Sequence, residues 1–244
     1  MTRELFRMTV LLFPGMDALR IYCAGPLFNH SERTEMAAIA DRLTDAGFDV
    51  YLPHRDGMEF RLVHHELIER GWDAPTAGQF LHEAIFALDV YQLTVACGAM
   101  VWNLNGRVPD EGAVSEAAMA WMLGKPLVAY MDDVRSKIAG RINPLLVGMV
   151  DFHTVISLDE IVPLLQQELQ RQAVPQVIPG LLPKRVQHAI ACGETLWDQL
   201  AGADALTENQ IIADCVERLF APEAVPMARL NGSAVSPKSQ VARR

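Results

Sequence analysis

The sequence predicts a doubly wound α/β domain with a five-stranded parallel sheet over residues 20–172, followed by a helical C-terminal extension. Three observations support this prediction. An apolar strand, a helix and a second strand occupy residues 20–52, and this β-α-β unit favours parallel pairing of its strands. Further apolar segments then alternate with helical patterns. The alternation stops near Pro175, where prolines become frequent.

The predicted strands are short apolar runs bounded by glycine, proline or polar residues. The first begins at Arg20 and ends before Gly25, and the second is closed by Pro53. The predicted strands are residues 20–24, 48–52, 99–104, 127–131 and 152–156. We expect the flavodoxin-like order 2-1-3-4-5, in which ligands bind at the carboxyl ends of the strands, near the point where the strand order reverses.

The helices between these strands follow from apolar spacing and from capping residues. Asn29 or Ser31 can cap the first helix, and Gly47 ends it. The other predicted helices of the domain are residues 79–96, 113–123 and 158–172. Residues 54–78 combine several turn-forming residues with little regular pattern, so we predict a lid or binding loop there.

Both ends of the chain differ from the domain in composition. We interpret residues 1–19 as an N-terminal extension rather than a signal peptide, because no small-residue cleavage site follows the short apolar stretch. Residues 173–220 form a predicted helical extension, with helices at 184–201 and 207–220 and Thr207 as the cap of the second. They are too few for a core of their own, so we expect them to pack on the sheet domain or on another subunit. Residues 221–244 are expected to be mostly disordered.

The composition excludes several classes of protein. The chain has 244 residues, half of them hydrophobic, and a formal net charge of −9. An acidic chain is a poor general binder of nucleic acid or anionic membranes, and no apolar run reaches the ~18 residues of a membrane-spanning helix. The four cysteines form no CxxC pair and no histidine cluster has zinc spacing, so we expect free thiols, no metal, no cofactor and a cytoplasmic location.

Three features fall where the fold places its site. Tyr22 to Pro26 follow the first strand, Asp89 lies on the helix before the third strand, and Pro109 to Glu116 follow the third strand. We place Glu116 in the first turn of a helix, where the dipole favours an ionised carboxylate that could act as a nucleophile. The alternative is that Glu116 merely complements the dipole.

The other features also have two interpretations. Gly25-Pro26 allows close approach of a ligand, or is a plain turn between strand and helix. Tyr22 is either a core residue or a hydroxyl donor at the site. Asp89 lies among apolar helix residues, so its carboxylate needs a partner or a function. Asp110 lies in the loop that Pro109 and Gly112 can fold back beside the helix start.

Together these segments resemble the nucleoside 2-deoxyribosyltransferase family. The resemblance rests on Tyr22-Cys23-Ala24-Gly25-Pro26, on Asp89, and on the Pro-Asp-x-Gly-x-x-x-Glu segment from Pro109 to Glu116. It extends to Gly124-Lys125-Pro126, Asp132 to Arg135 and Asn143-Pro144-Leu145, and covers about residues 20–165. The departures are Cys97 where the family often has Asp, Leu145 where Met is common, residues 117–119, and a C-terminal part beyond the usual family length.

The resemblance implies a catalytic or substrate-binding role for each matching residue. Glu116 would be the nucleophile on the anomeric carbon, Tyr22 would orient it, and Asp89 would help to protonate the leaving base. Asp110 would bind sugar hydroxyls, with Gly25, Pro26 and Gly112 as further substrate contacts. Asn143 would reach the site of a neighbouring subunit, which implies a homo-oligomer.

The reaction implied is transfer of a 2′-deoxyribosyl group between bases, with a nucleoside or nucleotide and a free base as partners. The Pro109-Asp110 pair favours a transferase over the related nucleotide hydrolases, in which the corresponding loop commonly lacks it. Two alternatives stay open. One is an N-glycoside hydrolase of nucleosides or 5′-monophosphates, in which water replaces the acceptor base. The other is a non-catalytic nucleoside- or nucleotide-binding protein, suggested by the altered Cys97 position.

Overall fold

The computed structural model describes residues 18–106, 108–133, 142–202 and 208–222. The predictions for residues 1–17, for Thr207 as a cap and for the tail 223–244 lie outside these described residues. The strands are β1 (Arg20–Ala24), β2 (Asp49–Tyr51), β3 (Ala99–Asn103), β4 (Leu127–Tyr130) and β5 (Thr154–Val155). All pairings are parallel and the order is β2-β1-β3-β4-β5, which confirms the predicted fold class and strand order.

The α-helices of the described residues lie on both sides of this sheet and beyond it. They are α1 (His30–Asp45), α2 (Pro53–Asp56), α3 (Phe60–Glu69), α4 (Ala74–Tyr91), α5 (Glu111–Met122), α6 (Pro144–Gly148), α7 (Leu158–Arg171), α8 (Lys184–Gly202) and α9 (Glu208–Phe220). Helices α1 and α7 cover the face of the sheet that carries Ile21, Cys23 and Val101. Helix α5 covers the opposite face, which carries Tyr22, Met100 and Trp102.

Local sequence explains where the regular helices begin and end. Asn29 accepts a hydrogen bond from the Glu32 amide, and the Glu32 carboxylate bonds back to the Asn29 amide, which forms a capping box at the start of α1. Gly47 follows the helix with φ = 89°, a conformation that glycine adopts without steric cost. Ser157 and Glu160 form the same box at the start of α7.

The predicted lid over residues 54–78 is wrong, because most of this segment is helical. Asp73 accepts a hydrogen bond from the Thr76 amide, so α4 begins at Ala74 and not at Gln79. The residues that suggested turns are therefore caps and first-turn residues. Val63 and Leu67 lie one turn apart on α3 and are fully buried, which fixes this segment against the protein.

Helix α4 does not continue as an α-helix to residue 96. Residues Gln92–Ala96 form a π-helical segment, with the Cys97 amide bonded to the Gln92 carbonyl. Such widened turns often occur at functional sites. Here the π-helical segment begins three residues after Asp89, at the point where the chain leaves α4 for β3.

Strand β5 is shorter than predicted, covering two residues instead of 152–156. Asp151 and Phe152 have φ values of 51° and 63°, and this left-handed backbone is incompatible with an extended strand. Pairing with β4 therefore begins only at Thr154.

The C-terminal helices α8 and α9 pack on the helices that precede β3. Leu196, Ile212 and Val216 share one buried cluster with Leu67 and Leu88 of α3 and α4. Arg70, after α3, forms ion pairs with Asp214 and Glu217 of α9. The extension therefore shares a buried apolar core with α3 and α4. In the part of the chain that the structure describes, no helix is long and apolar enough to span a bilayer.

Candidate active site

Glu116 lies in the second turn of α5, which corrects its predicted place in the first turn. The helix begins at Glu111 because the Asp110 side chain caps it, accepting a hydrogen bond from the Ala113 amide at 2.7 Å. Glu111 is the acidic residue of the first turn. The helix dipole acts chiefly within the first turn, so it does not explain Glu116.

Tyr22 connects β1 to this carboxyl group. Its ring is fully buried, and its hydroxyl donates a hydrogen bond to Glu116 Oε1 at 2.7 Å. The two interpretations of Tyr22 therefore both hold, because the ring belongs to the core and the hydroxyl holds Glu116. This pairing joins residues 94 positions apart in the chain.

Asp89 of α4 lies beside the same group of hydroxyls. The Tyr51 hydroxyl, at the end of β2, donates a long hydrogen bond to Asp89 Oδ1 at 3.4 Å. The Tyr22 hydroxyl also favours the ionised form of Asp89. The Tyr22 and Tyr51 rings pack on each other with centroids 5.4 Å apart. Asp89 thus has the partners that its apolar surroundings require.

Burial raises the pKa values of both carboxyl groups, and the charge of Asp89 raises that of Glu116 further. Burial raises the pKa of Asp89 to about 7, against the opposing hydrogen bonds of Tyr51 and Tyr22. Burial and then the nearby Asp89 charge raise the pKa of Glu116 to about 8, which the Tyr22 hydrogen bond partly offsets. Since both groups titrate near neutral pH, the pair can hold one proton and one negative charge, as acid-base catalysis requires.

The other residues predicted to contact the substrate make no hydrogen bond to the carboxyl pair among the described residues. Gly25 is explained by packing, since a Cβ there would lie 2.5 Å from Met36 Sδ and 2.7 Å from Asn103 Cβ. Pro26 is buried, and Gly112 is exposed beside Asp110 in the first turn of α5. The Asp110 charge raises the pKa of Glu116, which places the two carboxylates near each other.

Asn143 caps a different helix. Its side chain accepts a hydrogen bond from the Leu145 amide at 3.0 Å, at the start of α6. Within the described residues no hydrogen bond joins Asn143 to Glu116 or Asp89. Its predicted role in a neighbouring subunit's site therefore stays a prediction.

Sequence reasoning missed two groups at the carboxyl ends of the strands. One is Tyr51, the last residue of β2, whose hydroxyl contacts Asp89. The other is Asn103, the last residue of β3, which donates to Glu35 at 2.8 Å. Each is a polar residue at the end of an apolar strand, and that position was the available signal.

Cys97 lies in the buried cluster that also contains Tyr22 and Tyr51. Its thiol is fully buried, which raises its pKa, and its carbonyl accepts a hydrogen bond from the buried ammonium of Lys125. Over the described ranges no group of three or more His, Cys, Asp or Glu side chains could hold a metal ion.

Comparison with known proteins identifies the family of this chain. The family described as nucleoside 2-deoxyribosyltransferase matches residues 21–176, which contain Tyr22, Asp89 and Glu116. A solved structure of a conserved protein from Enterococcus faecalis V583 is 21% identical, covers 64% of this chain and 100% of its own, and has a TM-score of 0.41. No curated protein matches the chain. Because the matched segment spans most of the chain and includes the paired carboxyl groups, the chain belongs to the nucleoside 2-deoxyribosyltransferase family.

Proposed function

We propose that the protein transfers a 2′-deoxyribosyl group from a nucleoside to a free base, with Glu116 as the nucleophile. The observation that carries this proposal is the 2.7 Å hydrogen bond from the buried Tyr22 hydroxyl to Glu116, next to a second carboxyl group at Asp89. Family membership supports glycosyl transfer as the class of reaction.

In the first step the Glu116 carboxylate attacks the anomeric carbon of the sugar. The bond between that carbon and the base nitrogen breaks, its electron pair leaves with the base, and the proton of Asp89 neutralises the base. In the second step a new base attacks the same carbon, the ester to Glu116 breaks, and the proton of the incoming base returns to Asp89. Two displacements at one carbon retain its configuration.

The raised pKa values suit this exchange of protons. The reacting sugar carries positive charge near Glu116, and an adjacent positive charge favours the ionised form of a carboxyl group. The remaining proton of the pair then resides on Asp89, where it can reach the leaving base. The Tyr22 hydroxyl donates its 2.7 Å hydrogen bond to Glu116, and this bond stabilises the Glu116 carboxylate.

We also propose Asp110, Gly112, Gly25 and Pro26 as the wall that receives the sugar. Asp110 is half-buried and lies close enough to Glu116 to raise its pKa. Its oxygen that caps α5 is committed to the Ala113 amide, so its second oxygen is the one proposed to accept a sugar hydroxyl.

The proposed homo-oligomer would complete each site with Asn143 from a neighbour. A mixture of Glu116→Gln and Asn143→Ser subunits would then regain activity that neither variant has alone, because one mixed site carries both native residues. Serine keeps an oxygen that can cap α6. Absence of any regained activity after subunit exchange would argue against shared sites.

The test is a chromatographic assay with a panel of 2′-deoxyribonucleosides, with and without a second free base. A new nucleoside that forms only with the acceptor base supports the transferase. Free base without a new nucleoside indicates the hydrolase alternative, and 5′-monophosphates and ribonucleosides would be assayed next. Saturable binding without turnover indicates the binding-protein alternative.

Glu116→Gln and Glu111→Gln make a matched pair of variants for this assay. Both remove one carboxylate from α5, but Glu111 is exposed in the first turn. We expect Glu116→Gln to lose at least about a thousandfold in kcat, as for the loss of a nucleophile, and Glu111→Gln to keep it. Near-native turnover by Glu116→Gln would exclude Glu116 as the nucleophile.

A further inference from the structure

Trp197 lies on α8, beyond the segment 21–176 that matches the family, yet its ring reaches the candidate active site. It meets the Tyr51 ring edge-on, with centroids 5.8 Å apart and an angle of 77° between the planes. The Arg20 guanidinium lies over the Trp197 ring, 4.9 Å from the centroid of that ring. Arg20 in turn is paired with Asp49 at 2.6 Å. The indole is therefore held by contacts with both Tyr51 and Arg20.

Tyr51 transmits this contact to both carboxyl groups. Its hydroxyl donates to Asp89, and its ring packs on Tyr22, whose hydroxyl donates to Glu116. Trp197, Tyr51 and Tyr22 thus form a continuous row of aromatic rings that ends on the two carboxyl groups. Aromatic pairs in such tilted and edge-on arrangements hold a defined relative orientation.

Helix α8, which carries Trp197, also packs closely on α4, which carries Asp89. At Gly193 the two backbones approach so closely that a Cβ would lie 2.0 Å from the Ala87 carbonyl oxygen and 2.6 Å from Tyr91 Cβ. Ala87 and Tyr91 flank Asp89 on α4. Helix α8 therefore fixes the position of Asp89 by packing on α4, and it fixes the position of Tyr51 through Trp197.

We propose that Trp197 is a positioning residue for the reaction, which holds the Tyr51 hydroxyl against Asp89 and the Tyr51 ring against Tyr22. The C-terminal extension thereby supplies part of the support of the active site and is not a separate module. As far as turnover is concerned, this inference rests on the proposed function.

The experiment measures the pKa of the Asp89 carboxyl by carbon-13 NMR, with Asp89→Asn to assign the signal. Besides Asp89 itself, the titratable groups that face it are Tyr51 from β2, Tyr22 from β1 and Glu116 from α5. Tyr51→Phe removes one donor, and Trp197→Ala lets that donor turn away. Both variants are expected to raise the pKa of Asp89, by about half a unit or more, because a hydrogen bond to the charged form is lost.

The controls separate positioning from general destabilisation. Trp72→Ala removes a second tryptophan of the same helical region, which packs on Phe80 and donates to Glu217. It should leave the pKa of Asp89 unchanged. Trp197→Phe keeps an aromatic ring against Tyr51 and should keep the native value. If Trp197→Ala does not fold, Trp197→Leu removes the ring but keeps an apolar side chain, and it should show the raised value. Adding Trp197→Ala to Tyr51→Phe should cause no further shift.

Turnover gives an independent readout. Trp197→Ala should lower kcat by about tenfold or more with a smaller change in KM, since misplacement of reacting groups affects the chemical step. An unchanged or lowered pKa of Asp89 in the folded variant that lacks the ring at position 197, or an equal shift in Trp72→Ala, would overturn the inference. If the shift occurs but the wild-type protein transforms no nucleoside, the proposed function fails while the positioning stands.

Discussion

Glu116 and Tyr22 show at the residue scale how burial changes the pKa of a carboxyl group. The carboxyl group of Glu116 is desolvated and faces the charge of Asp89, so its pKa is raised from 4.5 to about 8. The Tyr22 hydroxyl acts in the opposite direction, because it stabilises the carboxylate. The balance of these effects determines how much of the Glu116 carboxyl group is ionised at neutral pH.

Removal of the Tyr22 hydroxyl should therefore weaken catalysis. In Tyr22→Phe the pKa of Glu116 should rise further, so that less carboxylate is present at pH 7. We expect kcat/KM at pH 7 to fall about tenfold for each unit of this rise. Steady-state kinetics across pH 6 to 9 would measure it. Tyr130→Phe, which removes a hydroxyl near Glu35, is the control, and an equal loss there would contradict the prediction.

The raised pKa of Glu116 also predicts how stability depends on pH. The folded protein binds this proton more tightly than the unfolded chain, so the stabilisation is complete below the unfolded pKa of 4.5 and is lost as pH rises through about 8. The neutral Glu116→Gln variant escapes that loss.

Denaturant unfolding of both proteins should therefore diverge with pH. The free energy of unfolding of Glu116→Gln relative to wild type should increase between pH 5 and pH 9, by on the order of a few kcal/mol. Glu111→Gln, at an exposed position, should show a flat difference. A pH-independent difference for Glu116→Gln would mean that its pKa is not raised.

At the scale of elements, the contact between α4 and α8 fixes the helix that carries Asp89. Gly193 allows it, because any side chain there would collide with the backbone carbonyl of Ala87. The π-helical segment Gln92–Ala96 continues the same helix toward β3. Asp89 therefore lies on a helix that is held by a close contact with α8 and that continues into a widened turn, in which Gln92, Leu93 and Thr94 are buried.

Gly193→Ala should push these helices apart. Overpacking of this kind costs about 1–3 kcal/mol, and the displaced Asp89 should lower activity as well. Gly202→Ala, at the end of the same helix with no atom near its Cβ position, should change stability by less than about 1 kcal/mol. Thermal unfolding and turnover of both variants would test this, and equal stability of the two would show that the contact is not tight.

At the scale of the whole molecule, the C-terminal extension completes a helical core. Leu196, Ile212 and Val216 are buried against α3 and α4, and Arg70 forms ion pairs with α9. Removal of the extension would expose this apolar surface of α3 and α4. This packing suggests that the extension and the sheet domain stay associated even without a covalent connection.

Cleavage of the connecting segment tests this association. A protease site introduced at residues 173–178, which are mostly exposed, should allow cutting without loss of structure. The two fragments should then elute together in gel filtration and retain activity. Separation of the fragments under native conditions would contradict the prediction.

Some sequence-based expectations failed for identifiable reasons. Asp73, Pro75 and Thr76 suggested a turn, but in the folded chain they cap and open α4. Glu116 was expected in the first turn of its helix but lies in the second, because the helix begins at Glu111 with Asp110 as its cap. In the sequence, an aspartate that caps a helix looks the same as an aspartate in a loop. In both cases the residue types of turns and of helix caps are the same, so local pattern does not separate them.

The amino-acid sequence was enough to predict the alternation of strands and helices, the strand order and the segments that carry Tyr22, Asp89 and Glu116. These follow from apolar periodicity and from local motifs, which act over a few residues. Three further properties appear only in the folded chain: Tyr51 contacts Asp89, the pKa values of Glu116 and Asp89 lie near neutral pH, and Trp197 contacts Tyr51. Those properties depend on desolvation and on contacts between distant parts of the chain, which exist only once the helices pack on the sheet.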